Sequence, residues 1–294
     1  MCDDEIHNGK MNLDPGVVLD PTVSRRTFGL MTVAATGAAS AAHAAASNVV
    51  EKDVEVKTPD GTADAALYYP QGRGTWPAVL IWTDILGLRP AFRDMGRRLA
   101  AEGYVVLVPN PFYRSKRAPV VSGSFDFSKP EDRQVVFGYR AAMTDAGVDN
   151  DAKAFVAFLD AQPQTNKAKK VGTQGYCMGG PLVVRTAAAV PGRVAAVGSF
   201  HGGGLATKDA NSPHLLVGKT NAAYVIAVAQ NDDMQDPAAK ETVKKALADA
   251  RKKATVEVYP ANHGWCVKDG AAYNEAQAEK AWSELMALYK STIA

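Results

Sequence analysis

Lys170-Val171-Gly172-Thr173-Gln174-Gly175-Tyr176-Cys177-Met178-Gly179-Gly180 is the stretch on which the reading of this chain turns. A short apolar strand runs into a cysteine flanked by glycines, and an apolar helix starts directly behind it. The pattern Gly-x-Cys-x-Gly is that of a sharp strand-to-helix turn with a nucleophile exposed at its tip. Glycine is required at 175 and 179 because side chains there would collide where the chain doubles back. The helix that follows aims its N-terminus at the cysteine, and its partial positive charge favours thiolate over thiol. The backbone N–H of Met178 is expected where an oxyanion would form. A buried, inert cysteine is the competing reading of the same residues.

Working outward, residues 47–294 alternate strand-like and helix-like segments. Val54–Val56 and Ala65–Tyr69 flank the turn signal Thr58-Pro59-Asp60-Gly61 and read as an antiparallel hairpin. Pro77–Trp82 and Tyr104–Val108 are continuous apolar runs, as expected for strands buried on both faces. Further strands are read at 194–200, 224–229 and 254–259. Helices are read at 91–102, 131–160, 238–250 and 273–290, and a long loop at 111–130. The hairpin followed by strand–helix alternation predicts one α/β domain over 47–294: a mostly parallel sheet of about eight strands with helices on both faces.

Residues 1–46 read as an address rather than as part of the fold. Ser24-Arg25-Arg26-Thr27-Phe28-Gly29-Leu30 resembles a twin-arginine export signal. A mildly apolar run follows, and then the small-x-small sites Ala42-His43-Ala44 and Ala44-Ala45-Ala46. The run is too short and too weakly apolar for a membrane span. The expectation is export in the folded state by the twin-arginine machinery to the periplasm or the outside, with no stable membrane insertion after processing. The balance of 33 basic and 31 acidic residues gives no reason to expect a nucleic-acid partner. Three cysteines without paired spacing indicate neither a zinc site nor a disulfide scaffold. A monomer is expected.

A nucleophilic cysteine needs a base, and the base needs an orienting group. In this architecture they follow in the order nucleophile, acid, histidine, each just past the end of a strand. Asp232 and Asp233 come directly after the strand at 224–229, and His263 directly after the last strand. Spacing alone does not separate the two aspartates. His201, in Phe200-His201-Gly202, also follows a strand but precedes the acid, so it is read as lining the site. Asp84 sits just past the strand ending in Trp82. The neighbouring Ile85 is expected to supply a second oxyanion N–H. Asp84 itself is a carboxylate able to hold or accept a proton beside the thiol.

These residues together resemble the dienelactone hydrolase family of α/β-hydrolases. The resemblance runs over nearly all of 50–290 and rests on Gly175–Gly180, on Asp233 with Pro237, on His263, and on Pro109-Asn110-Pro111-Phe112-Tyr113-Arg114. It implies a triad of Cys177, His263 and Asp233, a thioester intermediate, and cofactor-free hydrolysis of a small ester or lactone. By that register Asp233 is the acid. Arg114 matches an arginine that binds a substrate carboxylate; Tyr113 and Trp265 complete the implied lining. The chain departs from the pattern in three places. Asp84 stands where Glu is usual. Val267, followed by Lys268, stands where a second arginine is usual. Cys266 lies close enough in sequence to His263 to suggest a reversible disulfide with Cys177. A general esterase or thioesterase with another substrate, or a binding protein on the same fold, are the alternatives.

Overall fold

Three glycine contacts and one strand register explain how this chain is laid out. The computed structural model describes residues 48–121, 123 and 125–294. The export signal expected at 24–46 lies outside them. Eight strands form one sheet: β1 (Val49–Thr58), β2 (Gly61–Pro70), β3 (Ala78–Trp82), β4 (Val105–Pro109), β5 (Val171–Tyr176), β6 (Val194–Phe200), β7 (Ala223–Ala229) and β8 (Ala254–Tyr259). Their order is β1-β2-β4-β3-β5-β6-β7-β8. β1 and β2 are the antiparallel hairpin; from β4 through β8 every pairing is parallel.

Strand periodicity decides what covers each face. In β3, Ala78, Leu80 and Trp82 point into one core, and Val79 and Ile81 into the other. The first core is closed by helices α3 (Asp145–Ala161), α4 (Gly179–Ala189) and α7 (Pro237–Asp249). The second is closed by α1 (Pro90–Ala101) and α8 (Glu275–Thr292). The remaining helices are α2 (Pro130–Ala141), α5 (Pro213–Leu216) and α6 (Gln230–Gln235). The single helix expected over 131–160 is therefore two, α2 and α3. Thr144 causes the break: its hydroxyl accepts the Gly147 N–H at 3.1 Å and caps a new helix.

Register aligns the strand ends. Trp82 pairs with Gly175, Tyr176 with Phe200, Phe200 with Ala227, and Ala229 with Tyr259. The residues just beyond these five strand ends therefore stand in a row along one edge of the sheet. The strand order reverses between β3 and β5, where ligands settle in open parallel sheets.

Candidate active site

Cys177 sits at that reversal point with φ +52°, a left-handed conformation that non-glycine residues rarely adopt. The surrounding glycines show why the turn can be this tight. A Cβ on Gly175 would lie 2.2 Å from the Gly179 carbonyl oxygen, and one on Gly179 would lie 2.6 Å from that of Trp82. A Cβ on Gly180 would lie 2.4 Å from the Gly202 Cα. Backbone thus packs directly on backbone, and α4 begins against the end of β3. The Cys177 N–H is shared between the Phe200 carbonyl and His201 Nδ1, both at 3.1 Å, and the Gly180 N–H closes the turn on the Cys177 carbonyl at 3.0 Å.

Met178 is brought close to the β3 end by its neighbour Gly179, which packs on the Trp82 and Thr83 carbonyls, three residues or fewer before Ile85. Neither N–H donates to a protein acceptor among the described residues. Two unclaimed donors beside a nucleophile are the raw material of an oxyanion hole.

His263 stands in the loop after β8, and its surroundings are fixed from α6. Its backbone N–H donates to Asn231 Oδ1 at 2.8 Å, and Nδ1 meets Asp232 Oδ2 at 2.7 Å. The Gln230 N–H bonds the Ala261 carbonyl at 3.0 Å, so the two loops are tied by backbone as well. Burial works against a charged imidazole, but the bonds to Asp232 and to Cys177 outweigh it and push His263 up to about 10. The imidazole is thus held by a carboxylate at Nδ1, with the Cys177 thiol close enough to favour its charged form.

The expectation that Asp233 orients the histidine is corrected. Asp232 and Asp233 are consecutive on α6 and so point about 100° apart. Asp232 faces the His263 loop, and Asp233 faces α7, where Lys240 Nζ donates to its Oδ2 at 2.9 Å.

Asp84 is also corrected. Arg89 grips both its oxygens at 2.6 and 2.8 Å, and the Leu86 N–H takes Oδ1 at 2.9 Å. Arg89 goes on to Asp269 at 2.7 Å. A carboxylate held by a guanidinium fork is not placed to trade a proton with the thiol. Sequence reasoning missed Arg89; its one signal was a cation five residues after Asp84, at the start of a proline-initiated helix.

Arg114 and Tyr113 belong to a different cluster. Arg114 donates to Asp151 at 2.7 and 2.9 Å and is ion-paired to Asp60, while the Tyr113 hydroxyl donates to Asp151 at 2.7 Å. Asp151 is fully buried in α3, and desolvation pushes its pKa up even with these partners. The guanidinium is the counter-ion of that carboxylate, so its implied role of holding a substrate carboxylate is not supported. Trp265 is fully buried too. It stacks on Tyr259 at 5.1 Å and meets His201 edge-on at 5.0 Å, so it supports the site from behind rather than lining it.

His201 is likewise fully buried, with φ +41°. Desolvation and the nearby His263, 5.1 Å away between ring centroids, hold it well below the ordinary histidine range. A neutral ring is what the bond requires, since Nδ1 must stay an acceptor for the Cys177 N–H. Cys266 packs in the core under α1 and α8, whereas Cys177 packs against the opposite core; both are free thiols. The disulfide suggested by their spacing is therefore not formed.

A mostly parallel eight-stranded sheet with a strained cysteine at the turn after β5, and with α6 and the His263 loop at neighbouring strand ends, defines an α/β-hydrolase. The chain belongs to the dienelactone hydrolase family, whose model, described as "Dienelactone hydrolase family", matches residues 63–293. A relative from Methylorubrum extorquens, provisionally named a carboxymethylenebutenolidase, is 30% identical over 278 residues, covering 90% of this chain and 91% of its own. The carboxymethylenebutenolidase of Rhodococcus opacus is 25% identical over 204 residues, covering 69% and 75%. Among solved structures, a provisionally assigned dienelactone hydrolase from Klebsiella pneumoniae superposes with a TM-score of 0.71 at 23% identity, covering 82% of this chain and 98% of that one. The protein is a dienelactone hydrolase-like hydrolase.

Proposed function

We propose that this hydrolase cleaves a carboxylic ester or lactone through Cys177, His263 and Asp232. One observation carries the reading: a single imidazole, its Nδ1 bonded to the Asp232 carboxylate at 2.7 Å, has its pKa raised by that carboxylate and by the nearby thiol of a strained turn. The Cys177 sulfur attacks the carbonyl carbon as its proton passes to His263, and the resulting oxyanion rests on the N–H groups of Met178 and Ile85. The tetrahedral adduct collapses, the C–O bond breaks, and the leaving alkoxide takes its proton from His263. The acyl group is now a thioester on Cys177. His263 then draws a proton from water, the hydroxide attacks the thioester carbonyl, and the sulfur leaves as the carboxylic acid forms. Asp232 keeps Nδ1 bonded throughout, so that the other ring nitrogen serves both proton transfers.

The commitment of Arg114 to Asp151 and Asp60, and of Arg89 to Asp84 and Asp269, favours a neutral ester over an anionic dienelactone, because both guanidiniums already hold carboxylates. Hydrolysis of a dienelactone and of a neutral aryl ester, compared in the native protein and Cys177→Ala, tests both points. The aryl ester is expected to be the better substrate, with an acyl adduct on Cys177 seen by mass spectrometry after rapid quench. Full activity in Cys177→Ala would overturn the mechanism.

Export through the twin-arginine route is part of the proposal and rests on the Ser24–Leu30 motif and the small-x-small sites after it. Replacing Arg25 and Arg26 by lysine is expected to leave the protein in the cytoplasm of an expressing bacterium; unchanged export would refute the assignment.

A further inference from the structure

Behind the Cys177 turn, on the sheet face covered by α1 and α8, lies a cavity of about 140 Å³ that the hydrolytic chemistry does not use. Its wall is largely apolar and aromatic: Met95 from α1, Tyr176 and Phe200 from the ends of β5 and β6, Trp282 and Leu285 from α8, and Cys266. Tyr176 and Phe200 stack at 5.3 Å, presenting a flat surface. An apolar void of about 150 Å³ is large enough to take up a benzene ring. The size therefore admits one aromatic ring.

Charge at the mouth narrows the occupant further. Arg98 lies 4.0 Å over the Trp282 ring and gives both terminal nitrogens to Glu279, at 2.7 and 2.6 Å. Asp94 is paired with Arg97. Lys268, which also lines the cavity, has no carboxylate partner among the described residues. Lys268 acts on Glu279 through space but is held by no carboxylate of the described residues at ion-pair distance, so its ammonium is open to a further anion beside an aromatic hollow of single-ring size. We propose that this cavity is a binding site for a one-ring aromatic carboxylate, its ring among Tyr176, Phe200 and Trp282 and its carboxylate on Lys268. Burial pushes the Cys266 thiol up and keeps it neutral, which suits a wall in contact with a hydrocarbon ring. The site touches the back of the catalytic turn, since Tyr176 precedes Cys177 and the Phe200 carbonyl accepts the Cys177 N–H. The binding itself stands apart from the hydrolytic mechanism.

The test is calorimetric titration of the full chain carrying Cys177→Ala, with benzoate and with its neutral counterpart benzamide. Removing the thiol leaves the cavity wall intact and silences turnover. Benzoate is expected to bind saturably in the millimolar range, about fivefold more tightly than benzamide, the size of effect that an exposed ion pair gives. Lys268→Met is expected to erase that preference. Ala278→Phe fills the cavity from a half-buried wall position and is expected to abolish binding of both. Nuclear Overhauser effects from the benzoate ring to the Trp282 indole and the Met95 methyl locate the ligand without any cavity variant. Absence of saturable binding, a preference unmoved by Lys268→Met, or ring contacts to His263 in place of Trp282 would each overturn the proposal.

Discussion

The imidazole of His263 and the carboxylate of Asp232 meet at 2.7 Å, with the backbone on both sides of the contact tied by the Asn231 and Gln230 bonds. The geometry fixes which ring nitrogen faces the carboxylate and leaves the other for Cys177. Asp232→Asn is expected to keep the fold and lower kcat for ester hydrolysis by about 10²–10⁴-fold, the range seen when the orienting carboxylate of such a triad is neutralised. Asp233→Asn loses only the bond to Lys240. It should leave kcat within about twofold and stability within about 1 kcal/mol, as for a partly exposed ion pair. Steady-state kinetics on the two variants side by side decide between the aspartates.

His263 also sets a pH dependence of stability. Its pKa in the folded chain, about 10, lies above its ordinary value of 6.5. Folding is therefore favoured by the protonated ring. That contribution is complete below about pH 6.5 and is lost as pH rises through about 10. Urea unfolding across this window should show stability falling with pH. Both Cys177→Ala and Asp232→Asn remove a partner that raises the value, so each should flatten the fall. An unchanged slope in both variants would show that His263 is not its source.

The bond from the Cys177 N–H to His201 Nδ1 gives His201 a positioning role. His201→Phe keeps a flat ring but offers no acceptor. It is expected to lower kcat about tenfold with little change in KM, because the turn loses one support of its strained conformation. His201→Asn restores an acceptor and suits φ +41°, since asparagine tolerates the left-handed region. It should recover most of the loss. Equal damage from both substitutions would point to packing against Trp265 instead.

Arg114 should matter for stability more than for substrate choice. Arg114→Met strands the fully buried Asp151 without its counter-ion, at an expected cost of about 3–5 kcal/mol in denaturant unfolding. Combining it with Asp151→Leu should restore much of that loss. A variant that stays stable but raises KM selectively for carboxylate-bearing esters would return Arg114 to the role that the family resemblance implies.

Sequence by itself determined the sheet, its parallel character, the turn at Cys177, and the placement of a carboxylate and a histidine after the last two strands. These features are written in local signals: continuous apolar runs, turn residues, and glycines where no Cβ fits. Tertiary structure alone decided which partner each charged side chain takes. Asp232 and Asp233 are adjacent in sequence, and only the rotation of α6 sends one to His263 and the other to Lys240. Asp84 has the same local setting whether it faces a thiol or Arg89, and Arg114 the same whether it faces solvent or Asp151 from α3, 37 residues away. Polar pairing is set by distances between segments remote in the chain. Periodicity and spacing report on each segment's own burial, and so they fix the frame but not the pairs.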